Sequence, residues 1–245
     1  MTLLQRVIAA HGGLDYWNGL EALDAEISAS GFLFTAKRRP RLRHCRMRAW
    51  TREPRFAFYD FPERGLTAEL VGTNEVRISD RDGRVLDRRT DPRSAFRSLR
   101  HLVSWDDLDF IYFAGYATWN YLTAPFLLTW PGCVVMEPGP LKSGTSSFRR
   151  LQVTFPDTIP THNKQQTFYF DERYFLQRLD YTAEVVGGWA HAAHLCENYR
   201  TFDGIRAPTR RRVLPLFFGN SPLPAPTLVA IEVHDLKPIR SLKTP

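Results

Sequence analysis

The sequence predicts a mainly β chain whose strands pair antiparallel, with a small number of helices set among them. Three observations carry this. Short segments that alternate apolar and polar residues recur along most of the 245 residues, as half-buried strands require. The links between early segments, such as Asn74-Glu75 and Asp80-Arg81-Asp82-Gly83, are only turns, whereas parallel pairing needs crossovers of a dozen residues or more. A mid-chain stretch switches to the helical period and is apolar on nearly every side, the mark of a helix covered by other protein.

Leu3, Leu4, Val7 and Ile8 recur at helical spacing, and Gly12-Gly13 ends that helix. Asp15 is placed to cap a second short helix carrying Tyr16, Trp17, Leu20 and Leu23. Strands are then expected over residues 26–35, 41–50, 56–60, 67–71, 76–79 and 84–87. Residues 94–101 read as a short helix, and Ser104 with Asp107 as the capping box of a longer one reaching Leu122. In this helix Leu108, Ile111, Tyr112, Gly115, Trp119 and Leu122 follow the period, while Phe110, Phe113 and Tyr121 fill the remaining sides. No charged residue stands between Phe110 and Met136, but Asn120, Pro125 and Pro131 interrupt the run. Burial inside protein is therefore expected, with peripheral membrane contact as the alternative.

Strands resume over 133–137, 148–155, 165–170 and 175–185, then from Trp189 to the Asp203-Gly204 turn, over 205–214 and over 227–233. About 11–13 strands result. Gly187-Gly188 reads as a two-residue hairpin turn, since glycines accept the positive φ that a primed turn needs. That register sets Val186 opposite Trp189, Glu184 opposite His191, Tyr181 opposite His194 and Arg178 opposite Glu197. One face then gathers Leu179, Tyr181, Ala183, Ala190, Ala192, His194 and Cys196.

With 43% hydrophobic and 13% aromatic residues, the chain can bury a sizeable core. No repeat and no compositional break divides it, so a single domain over 1–245 is expected. Its parts are N-terminal helices (1–23), a first strand set (24–88), a helical lid (94–124) and a second strand set (132–236). The net charge of +7 suits anionic partners but also plain solubility. Its densest basic tract runs through Lys37-Arg38-Arg39, Arg41, Arg43, Arg46, Arg48, Arg52 and Arg55. On a hairpin, alternation sends such charges to both faces, and no aromatic platform accompanies them, so a solvated surface is expected and nucleic acid is not a partner. Cys45, Cys133 and Cys196 form no metal or redox spacing, which suits a reducing compartment such as the cytoplasm. The first residues lack the pattern of a secretory signal.

The chain carries no glycine-rich phosphate loop, dinucleotide fingerprint, nucleophile elbow or zincin motif, and no cofactor is expected. His191 and His194 stand three apart on a strand and so point to opposite faces, which argues against a metal site. His194 and Tyr181, an imidazole and a phenol on one apolar face, are the candidate catalytic acid–base pair. The competing reading is a satisfied core histidine. His162 and Gln166 at the far end of the sheet, Trp119 and Tyr121 on the mid-chain helix, and Cys196 are the candidate ligand contacts.

His11-Gly12-Gly13, Trp17, Leu20-Glu21-Ala22-Leu23 and Gly31 resemble the opening segment of the LolA/LolB-like proteins, the half-open β-barrels of bacterial lipoprotein carriers. Tyr169-Phe170-Asp171 through Leu176-Gln177-Arg178, with Phe202-Asp203-Gly204-Ile205 and Pro208, resemble their later hairpins. The signal peptide and lipobox cysteine of those carriers have no counterpart here, and the mid-chain helix is more aromatic. The resemblance implies one open antiparallel β-barrel with N-terminal and mid-chain helices against its concave face, which in that family holds acyl chains. For this chain it implies binding of a hydrophobic or aromatic small molecule. At least one pigment-pathway enzyme uses a similar scaffold without a metal or organic cofactor, so a cofactor-independent isomerase, cyclase or lyase is the alternative.

Overall fold

The computed structural model describes residues 1–143, 146–217 and 221–241. Helices α1 (Leu3–Ala10) and α2 (Leu14–Asn18) lead into β1 (Leu20–Ser30), and α3 (Phe32–Ala36) follows. A meander of β2 (Leu42–Trp50), β3 (Arg55–Tyr59), β4 (Thr67–Val71), β5 (Glu75–Ser79) and β6 (Val85–Thr90) comes next. Then come α4 (Pro92–Ala95), a 3-10 turn at Leu99–Leu102, the long α5 (Asp107–Thr123) and a second 3-10 turn at Phe126–Thr129. The last strands are β7 (Val134–Met136), β8 (Leu141–Ser143), β9 (Ser146–Thr154), β10 (Gln165–Phe170), β11 (Leu176–Thr182), β12 (His191–Phe202), β13 (Ile205–Pro215) and β14 (Val229–Arg240).

The strands form one antiparallel sheet in the order β6-β5-β4-β3-β2-β1-β14-β13-β12-β11-β10-β9-β7, with β8 beside β9. β6 and β7 end the order without pairing to each other, so the barrel is open, as the sequence implied. The β1–β14 pair, from Leu20 opposite Arg240 to Ser30 opposite Ala230, joins the two strand sets at the centre. Along β1 the alternation is clean. Ala25, Ile27 and Ala29 are buried, while Asp24, Glu26 and Ser28 are half-buried on the other face.

Several elements differ from the expectation for local physical reasons. Leu20 and Leu23 belong to β1 rather than to the second helix, whose N-cap is Gly13 and not Asp15. The strand expected over 26–35 stops at Ser30, because Gly31 turns the backbone at φ 134 against β14. A Cβ there would sit 2.5 Å from the Leu228 carbonyl oxygen, and α3 replaces the rest of the expected strand. α5 is capped by Asp106 with Asp109, not by Ser104 with Asp107. β14 runs to Arg240, past its expected end.

The basic tract is also distributed differently. A register shift in the pairing of β1 with β2, between Ile27 and Ala29, leaves Leu42, Met47 and Ala49 buried. Arg46 and Arg48, which share the opposite face, pair with Asp60 (2.7 Å) and Asp24 (2.6 Å). The strand's arginines therefore share one face instead of alternating across both. Lys37, just before the strand, turns inward and is only 5% exposed.

α5 packs across β2 to β5, and Gly115 lets it approach closely. A Cβ at that position would lie 3.2 Å from Leu70 Cβ and 3.8 Å from the Phe58 ring. Phe110, Ile111, Tyr112, Tyr116, Trp119 and Leu122 are all buried, as an all-round apolar helix requires. Among the described residues no helix is long and apolar enough to cross a membrane.

The two halves of the sequence resemblance meet. The His11 carbonyl accepts from Arg206 N–H at 3.0 Å, and a Cβ on Gly12 (φ 130) would lie 2.5 Å from the Gly204 carbonyl oxygen. Gly13 (φ 87) has only open space beside it. Gly12→Ala should therefore cost about 2 kcal/mol or more, and Gly13→Ala only about 1 kcal/mol from its backbone conformation. Urea denaturation midpoints check this, and equal losses would contradict the close contact.

Candidate functional site

Between the sheet and α5 lies a cavity of about 440 Å³, within the range of small-molecule sites. Ile27 and Ala29 of β1, Met47 of β2, Ala192 of β12, Val213 of β13 and Ile231 of β14 form its sheet wall. Phe110, Phe113, Ala114, Ala117 and Tyr121 of α5 form the opposite wall, and Ala183 and Ala190 of the β11–β12 connection also reach it. Where α5 meets Phe58 and Leu70 the space is filled. Where its alanines meet the sheet's alanines it is not, because small side chains on both walls leave the gap. Phe32, Leu102, Trp189 and Phe217 also line the cavity and are exposed to solvent, forming an apolar rim.

A buried polar chain abuts this apolar space. The Tyr116 hydroxyl is hydrogen-bonded to His162 Nδ1 at 3.1 Å, and His162 Nε2 to the Tyr121 hydroxyl at 2.7 Å. The Tyr121 hydroxyl is bonded in turn to that of Tyr181 at 2.8 Å. The His162 and Tyr181 rings stack at 3.9 Å with an interplanar angle of 5°. Tyr121 and Tyr181 line the cavity, whereas Tyr116 and His162 lie behind them.

Burial fixes the protonation of this chain. It pushes the His162 pKa down to about 3, with Arg93 adding to the effect. Burial also raises the Tyr116, Tyr121 and Tyr181 phenols above their ordinary value. All four groups are therefore neutral near pH 7. A neutral imidazole holds one proton for two ring nitrogens. If Nε2 carries it, each group can donate toward Tyr181, whose own hydrogen stays free. If Nδ1 carries it, every bond runs the other way and Tyr181 keeps a free lone pair. Tyr181 thus presents a hydrogen or a lone pair to the cavity according to which ring nitrogen of His162 is protonated.

The residues expected at a site separate into two groups. Tyr181 and Tyr121 reach the cavity, and His162 joins them through hydrogen bonds. His194 is fully buried behind Tyr121, its ring edge-on at 4.2 Å, and its Nδ1 has no partner. Burial first, then Arg211, lowers its pKa well below the ordinary value. Arg211 is itself buried and donates to the Tyr121 carbonyl oxygen at 2.7 Å and to Cys196 Sγ at 3.4 Å. Cys196 therefore sits at this rear cluster. Trp119 donates Nε1–H to the Trp50 carbonyl oxygen at 2.8 Å, and Gln166 donates to Thr161 Oγ1 at 2.6 Å. Neither lines the cavity.

The expected pairing of Tyr181 with His194 is corrected by the register. Tyr181 stands opposite Ala192 and His194 opposite Leu179, because the connection is longer than the Gly187-Gly188 turn alone. Ala183 N–H bonds Ala190 O at 2.9 Å and Val186 N–H bonds Ala183 O at 2.8 Å, closing a local loop over 183–190. The slip is two residues, so the faces are preserved and both side chains still point inward. Tyr116 was not singled out from sequence, since its place in an all-round apolar helix hides which face meets His162. Among the described residues no cluster of histidine, cysteine and carboxylates could hold a metal ion.

No protein-family model and no curated protein matches the chain. Solved structures do share its architecture. A LolA superfamily protein from Nitrosomonas europaea aligns over 99% of this chain and 96% of its own, with a TM-score of 0.54 and 10% identity. The fold is LolA-like. A putative outer membrane lipoprotein-sorting protein domain from Vibrio parahaemolyticus gives 0.52 and 11%, covering 99% and 93% of the two chains. A DUF1329 family protein from Desulfovibrio piger gives 0.51 and 12% with the same coverage. In this LolA-like chain the cavity lies between the sheet and its longest helix.

The buried histidines predict a pH dependence. His162 and His11 have folded pKa values of about 3 and about 4, against an ordinary 6.5. Between those values the unfolded chain binds protons that the folded chain does not. Stability is therefore full above pH 6.5 and is lost as pH falls. Each such histidine contributes about 1.4 kcal/mol per pH unit in that window. His162→Asn should flatten the slope of unfolding free energy between pH 6 and pH 4.5 by about that amount, measured by denaturant titration. An unchanged slope would show that His162 is not buried neutral.

Proposed function

We propose that this chain binds a hydrophobic or aromatic small molecule between the concave face of its sheet and α5. The observation that carries the reading is the cavity itself, about 440 Å³ walled almost entirely by apolar side chains and opening at an apolar rim. A folded chain gains by filling such space, since small residues on both walls leave dispersion contacts unmade. The LolA-like fold supports the reading, because one solved neighbour is described as a putative outer membrane lipoprotein-sorting protein domain. The cytoplasm is the proposed compartment, in keeping with cysteines that form no disulfide.

A second reading rests on the Tyr116–His162–Tyr121–Tyr181 chain. A cofactor-independent enzyme, an isomerase, cyclase or lyase, needs a proton donor or acceptor at the substrate. Tyr181, hydrogen-bonded to Tyr121 and lining the cavity, is the group best placed to serve. His194, behind Tyr121, would act only by positioning that ring.

Two variants test these readings. Ala117→Phe adds bulk on the helix wall and should weaken binding of an uncharged apolar fluorophore by at least about tenfold. Fluorescence titration measures it, and unchanged affinity in a folded variant would rule out this cavity. Tyr181→Phe separates binder from enzyme. A binder should lose about 1 kcal/mol of affinity for its co-purified compound. An enzyme should lose roughly 100-fold or more in turnover while still holding it.

A further inference from the structure

Two cations stand in the wall of this apolar cavity, at the connection between α3 and β2. Lys37 is 5% exposed, and its ammonium donates to the carbonyl oxygens of His101 (2.7 Å) and Leu102 (2.8 Å). An ammonium has three N–H donors, so one is not taken by a carbonyl oxygen; the Trp105 ring centroid lies 5.4 Å from the nitrogen. No carboxylate pairs with Lys37 among the described residues, and burial lowers its pKa with no acidic group opposing the shift. Carbonyl oxygens solvate a cation but do not neutralise it.

Arg39 is the second cation. One of its terminal nitrogens pairs with Asp107 and the other donates to the Trp105 carbonyl oxygen at 3.2 Å. Its Nε–H is closed off from solvent and has no hydrogen-bond partner among the described residues. Two positive charges in the cavity wall are thus matched by one carboxylate. Burying an uncompensated cation is costly unless something completes its environment. Leu102, whose carbonyl holds Lys37, is an exposed rim residue, which places the pair toward the mouth.

The geometry points to a ligand with an anionic head group, a carboxylate or phosphate monoester, received by Lys37 and Arg39 while its apolar body extends toward Tyr121 and Tyr181. This rests on the reading of the cavity as a hydrophobic-ligand site. It deepens that reading by naming the end of the ligand that is recognised. An oxyanion would supply the negative charge that this pair of cations lacks and an acceptor for the Lys37 ammonium, and charge-assisted bonds of this kind are the stronger class. A neutral apolar molecule would leave the positive charge unmatched.

Competition against N-phenyl-1-naphthylamine, an uncharged fluorophore, tests this with dodecanoate, dodecyl phosphate and dodecanol. In the unaltered protein the better of the two anions should bind at least about tenfold more tightly than the alcohol. A lead for dodecyl phosphate marks phosphate as the head group, and a lead for dodecanoate marks carboxylate. Lys37→Met should bring that ratio below about threefold. Equal affinity of all three compounds for the unaltered protein would overturn the head-group assignment and leave the apolar site standing. Failure of the fluorophore and all three compounds to bind would remove the site itself. If Lys37→Met does not fold, the comparison on the unaltered protein decides alone.

Discussion

An all-round apolar helix in water must be covered on every side, and the architecture follows from how α5 is covered. Antiparallel strands alone leave a curved sheet with one apolar face, and the helix alone would not be stable in water. Each buries the other. The cover is uneven, however. Toward β3 and β4 a glycine lets the helix meet Phe58 and Leu70 closely. Toward the second strand set, alanines on the helix meet alanines on the sheet across open space. The same contact that completes the core therefore also creates the cavity, and side-chain size alone decides where one gives way to the other.

Polar groups around this space are arranged in two ways. Tyr116, His162, Tyr121 and Tyr181 satisfy one another and stay neutral, so the chain tolerates burial without a counter-ion. Lys37 and Arg39 are different: carbonyl oxygens hold Lys37, Asp107 pairs with Arg39, and one carboxylate faces two cations. Arg211 repeats the theme behind Tyr121, where its Nε and His194 Nδ1 are buried without partners. Satisfied chains favour structural permanence or proton transfer. Unspent donors favour a binding partner.

Strand faces were legible because alternation survives errors in the turn. The misread Gly187-Gly188 hairpin displaced the pairing by two residues, and Tyr181, His194 and Cys196 still fell on the inner face. A slip of one would have reversed them all. The capping of α5 was misplaced by two residues for a similar reason, since Asp106 with Asp109 satisfies the same box as Ser104 with Asp107. α3 was hidden because Phe32 to Ala36 continue the apolar pattern of the strand, and only the contact of Gly31 with Leu228 breaks it. The partners of His162 were not readable at all. They come from a helix more than forty residues away, and no local pattern encodes which side of an all-round apolar helix meets a given loop. Lys37 and Arg39 were read as surface members of a basic tract, because inward turning at the end of α3 depends on the same unread helix.

Native mass spectrometry of freshly purified protein, before and after extraction with organic solvent, tests the cavity most directly. A binding cavity predicts a one-to-one adduct of small-molecule mass that extraction removes and that returns when the extract is added back. The bare chain mass before extraction, with no uptake of apolar compounds afterwards, would contradict it.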